Sequence, residues 1–113
     1  MTPQWVPVNA YETSGAFVIV APIPAVSEAD VSIELTPRQV RFWSKLRSAG
    51  PRSYVIHEWD YGGYERVVDV PIGFGAGLEA TLLNGQLVIR VLSGPYTHEY
   101  RIHPTSHHVD HGE

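Results

Sequence analysis

The residues with the greatest chemical potential in this chain gather toward its C-terminal end. His98, His103, His107, His108 and His111, with Asp110 among them, place imidazoles and a carboxylate close together in sequence. Imidazole nitrogen suits Zn, Cu or Ni, so the segment has donors for an ion. Its spacing follows no structural zinc pattern, and no neighbouring residues can be assigned to orient the rings. The expectation is a solvated segment with no metal site, whose charge changes between about pH 5 and 8.

Other reactive side chains are equally dispersed. Glu58, Asp60, Glu65 and Asp69 include possible carboxylate pairs for acid–base work, but alternation around them turns the charges outward. The GFGAG stretch, residues 73–77, lacks the Lys-Ser/Thr and helix start of a phosphate-binding loop, and reads as a flexible link. Serine, histidine and aspartate are present without a G-x-S-x-G elbow. No enzyme and no cofactor are expected. Arg66 stands apart, sharing a strand face with Tyr64, Val68 and Val70. A charge there must be paired, or must reach solvent along its aliphatic stem; both remain open.

The scaffold for these residues is bounded by composition. The chain has 113 residues, 43% of them hydrophobic, enough for one modest core. Nine prolines and ten glycines cut it into short segments, which suits strands. The formal charge is −4 and no basic patch stands out, so nucleic acid is not an expected partner. No apolar run reaches the roughly 18 residues of a membrane helix, and no signal-peptide pattern opens the chain. There is no cysteine, consistent with a reducing compartment. A soluble, cytoplasmic, all-β domain is expected.

The clearest element is a hairpin over Leu78–Val91. Asn84-Gly85 supplies the positive φ values of a two-residue type I′ turn. Pairing outward from it sets Leu78, Ala80, Leu82, Leu87, Ile89 and Val91 on one face, and Glu79 opposite Arg90 on the other. Upstream, Val6–Tyr11 and Ala16–Pro24 read as strands, with Pro22 at an edge or past the pairing. Ser27–Asp30 reads as a bend, and Val31–Leu35 as a strand with Val31, Ile33 and Leu35 inward. Pro37–Ser48 reads as strand or as a helix opened by its proline; Val40, Phe42 and Trp43 favour strand. Residues 53–60 and 64–70 complete the set. The chain divides into a short arm (1–5), a sandwich (6–92) and a flexible His-rich extension (93–113).

The hairpin also carries a resemblance. Ala80-Thr81-Leu82-Leu83-Asn84-Gly85-Gln86-Leu87 resembles the A-x-x-x-N-G-x-L signature of the small heat-shock proteins, the α-crystallin domain. Glu58-Trp59-Asp60-Tyr61-Gly62-Gly63-Tyr64-Glu65-Arg66 resembles the E-R-x-Y-G-x-F-x-R of that family, with Val70-Pro71 for its L-P. The order and spacing match over roughly Val6–Leu92.

The resemblance implies an immunoglobulin-like antiparallel β-sandwich that forms a homodimer, or a small homo-oligomer. It implies an ATP-independent holdase that binds unfolding client proteins and prevents their aggregation. A loop strand, Ser53–Asp60, would cross to the second subunit, placing Tyr54, Ile56, Glu58, Trp59, Tyr64 and Arg66 at the dimer interface. A groove between two edge strands would involve Val31, Ile33, Leu35, Ala80 and Leu82, although core is the favoured reading for these positions. Family members fill that groove with a C-terminal I-x-I segment, of which Tyr100-Arg101-Ile102 is a degenerate counterpart. Trp5, Trp43 and Trp59 are client anchors or packing residues. The chain departs from the pattern where Trp59 replaces an arginine, where GFGAG replaces a charged stretch, and in how few residues precede the first strand. The rival reading is a non-catalytic adaptor on the same sandwich, similar to CS-type co-chaperone domains, that recognises a folded partner.

Overall fold

The computed structural model describes residues 4–47, 55–56 and 61–105. Its strands in chain order are β1 (Gln4–Trp5), β2 (Asn9–Glu12), β3 (Ala16–Pro22), β4 (Val31–Leu35), β5 (Gln39–Ser44), β6 (Leu46–Arg47), β7 (Tyr61–Gly62), β8 (Tyr64–Asp69), β9 (Phe74–Leu83), β10 (Gln86–Ser93) and β11 (Tyr100–Ile102). They form a five-stranded sheet, β1-β8-β5-β4-β11, facing a four-stranded sheet, β2-β3-β10-β9, with β6-β7 as a separate small ribbon. All pairings are antiparallel except β1 with β8, which is parallel.

The expected hairpin register is the observed one: Leu83 pairs Gln86, Ala80 pairs Ile89 and Leu78 pairs Val91. Asn84 and Gly85 have φ of 54° and 76°, the left-handed values that the tight turn requires. Glu79 and Arg90 meet at 3.1 Å on the outer face. Alternation along β4, β5, β9 and β10 sends Ile33, Leu35, Val40, Phe42, Leu82, Leu87 and Ile89 between the sheets, where they form one core with Phe17 and Ile19.

Several expectations change. The strand expected over Val6–Tyr11 is confined to β2 (Asn9–Glu12), which joins the four-stranded sheet, while β1, within the expected arm, joins the five-stranded one. Pro7 explains the break, because it has no N–H to continue a ladder while the chain changes sheets at buried Val6. Pro37–Ser48 keeps the favoured strand reading, holding β5 and β6, with no helix over residues 37–47. The GFGAG stretch is not a flexible link, since β9 starts at Phe74. The register shifts between Leu92 and Ser93, so residues 75–76 bulge out. Gly75, at φ +151°, accommodates that bulge and the close approach of the Tyr96 backbone and Cβ. The 93–113 extension is likewise not free throughout: Tyr100–Ile102 is an edge strand of the five-stranded sheet.

Candidate functional site: a groove between two sheet edges

β4, next to the edge strand β11 of the five-stranded sheet, and β9, which ends the other sheet, lie on the same side of the sandwich. In β4, Val31, Ile33 and Leu35 are buried and Ser32 and Glu34 are half-buried, the alternation read from the sequence. In β9, Leu78, Ala80 and Leu82 are buried toward the same core. The five residues expected at the groove are therefore all core residues here, and their strands carry the backbone edges that a further segment can pair with.

Residues 100–105 occupy those edges. Tyr100 pairs with Leu35, Arg101 with Glu34 and Ile102 with Ile33. Partners across a ladder point to the same side, so Tyr100 and Ile102 face inward, and both pack against the core. The Tyr100 hydroxyl donates to the Ala76 carbonyl of β9 at 3.2 Å. Beyond His103, whose Nδ1 lies 2.5 Å from the Val31 carbonyl oxygen, the segment crosses to the second sheet. There the Thr105 N–H donates to Ala80 O at 3.0 Å and Leu82 N–H donates to Thr105 O at 2.7 Å. One short segment thus bonds the edges of both sheets and closes the open side of the sandwich.

The outer face adds a contact missed in the sequence. The Trp43 ring lies between the guanidinium groups of Arg41, 4.2 Å from the ring centre, and Arg101, 5.0 Å away. Arg41 also bonds Glu65 at 2.6 Å. Alternation of Arg41 with Trp43 held the first half of this stack. Nothing local pointed to Arg101, whose approach depends on β11 docking, or to Thr105.

The residues expected at a dimer interface separate. Tyr54, Glu58 and Trp59 lie outside the described residues, as does most of the Ser53–Asp60 strand. Ile56 is described and is 73% exposed. Tyr64 faces its own core instead, its hydroxyl donating to Pro24 O at 3.1 Å and its N–H to the Ser44 hydroxyl oxygen at 3.1 Å. Arg66 is paired within the chain: Nη1 donates to Val6 O at 2.7 Å, and the guanidinium lies 4.6 Å from the centre of the Trp5 ring. Trp5 itself is 71% exposed. β2 ends its sheet with every residue exposed, and no described strand pairs with its outer side.

A shallow concavity of about 480 Å³ lies between Pro7–Asn9 and the Asn84–Gly85 turn, with no titratable side chain in its lining. Among the described residues, no group of three or more His, Cys, Asp or Glu stands where it could hold one ion. His107, His108, Asp110 and His111 lie outside the described residues. No described helix is long and apolar enough to cross a membrane.

The fold as a whole is similar to that of known structures. The protein hspA from Xanthomonas axonopodis superposes with a TM-score of 0.71, at 21% identity, over 83% of this chain and 98% of that one. The chain has the α-crystallin fold of the small heat-shock proteins. A small heat-shock protein from Xylella fastidiosa, described as having a distinct high order structure, matches over 96% of both chains with a TM-score of 0.68 and 20% identity. Heat shock protein 16.0 from Schizosaccharomyces pombe matches with a TM-score of 0.69 and 16% identity, over 81% of this chain and 68% of that one. In sequence, Spore protein SP21 of Stigmatella aurantiaca is 30% identical over 110 residues, which is 92% of this chain. The chain spans 64% of that protein's length. No protein-family model matches the chain.

Proposed function

We propose that this protein is a small heat-shock protein acting as an ATP-independent holdase, which binds extended apolar segments of unfolding proteins and keeps them from aggregating. One observation carries the reading: within an α-crystallin fold, β4 and β9 present two strand edges above an aliphatic core, and those edges bind an extended segment through its backbone and through alternate side chains. Backbone pairing is indifferent to the partner's sequence, and apolar floor positions favour any chain exposing alternating bulky residues. A holdase needs that combination and needs no nucleophile.

The active unit in this reading is a homodimer in the cytoplasm, joined where Ser53–Asp60 of a second copy adds to the exposed edge of β2. Tyr11, 54% exposed on that strand, would be covered in the process. The reading is tested by light scattering of a heat-labile model protein with this protein added and ATP omitted. Suppression near one protomer per client chain supports it. Full aggregation beside a folded dimer would redirect attention to an adaptor that recognises a folded partner.

A further inference from the structure

We propose that His103 is one ligand of a divalent transition-metal site, completed by the imidazoles that follow it in the chain, His107 and His108, with Asp110 and His111 as further donors. The ions that suit such a set are those that favour imidazole nitrogen: Zn²⁺, Ni²⁺ or Cu²⁺.

The orientation of the His103 ring carries the argument. Its Nδ1 lies 2.5 Å from the Val31 carbonyl oxygen. A carbonyl only accepts, so Nδ1 bears the hydrogen, and in the neutral ring Nε2 bears the lone pair. Metal-bound histidines are held in this way: one ring nitrogen donates to a backbone carbonyl or carboxylate, which fixes the tautomer, aims the ring and makes the other nitrogen a better ligand. The sequence offered no neighbour for that role, because Val31 reaches His103 only through the fold. His103 is exposed, and no described residue bonds its Nε2. His98 is a contrast. Its Nδ1 meets the Thr97 hydroxyl at 3.1 Å, a group that can donate or accept, and its ring lies 4.2 Å from that of Tyr100. Its tautomer is therefore not fixed by its partner.

The second argument is reach. Buried Pro104 separates His103 from Thr105, and Thr105 is tied to β9 through the Ala80 carbonyl and the Leu82 N–H. The His103 ring is thus mounted on the sandwich. His107 and His108 follow Thr105 by two and three positions, so their Cα atoms lie within about 7 and 11 Å of it. Donors on so short a tether meet an ion on His103 at high effective concentration. Among the described residues no group of three donors is complete. The ion is held jointly, with one ligand from the sandwich and the others from residues 107–111.

Calorimetric titration of the full chain with Ni²⁺ tests this. A saturable step at one ion per chain is expected. His103→Gln should weaken it by roughly tenfold or more, and so should His107→Gln with His108→Gln. His98→Gln should leave it unchanged. No saturable step would overturn the proposal. So would parent-like affinity in His103→Gln, which would mean that the later histidines hold the ion alone. Because His103→Gln also removes the bond to Val31, a second measurement uses the parent chain: long-range ¹H–¹⁵N NMR of the histidine rings with Zn²⁺. His103 should keep its Nδ1 hydrogen while its Nε2 resonance shifts with added Zn²⁺. A His103 ring that Zn²⁺ leaves unmoved, or one metallated at Nδ1, would overturn the proposal whatever the variants show.

Discussion

Arg66 holds the N-terminal segment to the sandwich, and the strength of that hold can be worked from its contacts. Its guanidinium donates to the carbonyl of Val6, a residue 2% exposed, and lies over Trp5. A hydrogen bond from a charged donor contributes about 1.5–3 kcal/mol. The cation–π contact, with Trp5 largely in water, adds about 0.5–1 kcal/mol. Arg66 is only half-buried, and water can replace part of the lost bond, so the low end applies. Arg66→Met, which keeps the aliphatic stem, should destabilise the protein by about 2 kcal/mol. Urea unfolding at one fixed protein concentration measures this, since association changes apparent stability. A double-mutant cycle with Trp5→Ala should return a coupling of about 0.5–1 kcal/mol. A loss below about 0.5 kcal/mol for Arg66→Met, the usual range of surface substitutions, would refute the assignment and return Arg66 to the surface-arginine reading.

Other outcomes follow from single sites. Ile33→Ala, at a fully buried position beneath β11, should cost about 2–5 kcal/mol in denaturant unfolding. Gly85→Ala forces a side chain into φ +76°, with its Cβ 3.3 Å from Pro24 Cα, and should cost about 1–2 kcal/mol. Arg90→Ala, removing a half-exposed cross-strand pair with Glu79, should change stability by less than about 1 kcal/mol, and less again in high salt. The Tyr96 hydroxyl titrates above its ordinary 10.0 through desolvation and, secondarily, the charge of Glu99. The folded chain therefore keeps this proton more tightly than the unfolded chain. That stabilising contribution is present below pH 10 and lost as pH rises through the raised folded value, so Tyr96→Phe should flatten the alkaline limb of the stability–pH curve.

How much of this was legible follows from how each signal is encoded. The β9–β10 hairpin declared itself because a two-residue turn and two alternating strands agree on one register, leaving no freedom to misplace Leu82 or Ile89. Val31–Leu35 was equally plain, since its alternation is complete over five residues. The docking of β11 was only partly visible: Tyr100 and Ile102 alternate, but three residues are too short for periodicity, and the Thr105 crossing depends on two edges brought together by the whole fold. β1 could not be read, because a two-residue parallel pairing leaves no pattern and Pro7 obscures the change of sheet. The glycines of GFGAG suggested looseness, whereas here small size lets a strand bulge beneath Tyr96. Alternation placed Tyr64 and Arg66 on one face correctly. It could not reveal that Tyr64 meets this chain's own core while the N-terminal segment supplies a partner for Arg66.

The most direct test of holdase function is the mass and composition of what remains soluble after heating this protein with a heat-labile client, without ATP, resolved by size-exclusion chromatography with light scattering. The account predicts one soluble peak containing both proteins, heavier than this protein alone. A client that pellets quantitatively, while this protein elutes folded and unchanged in mass, would contradict it.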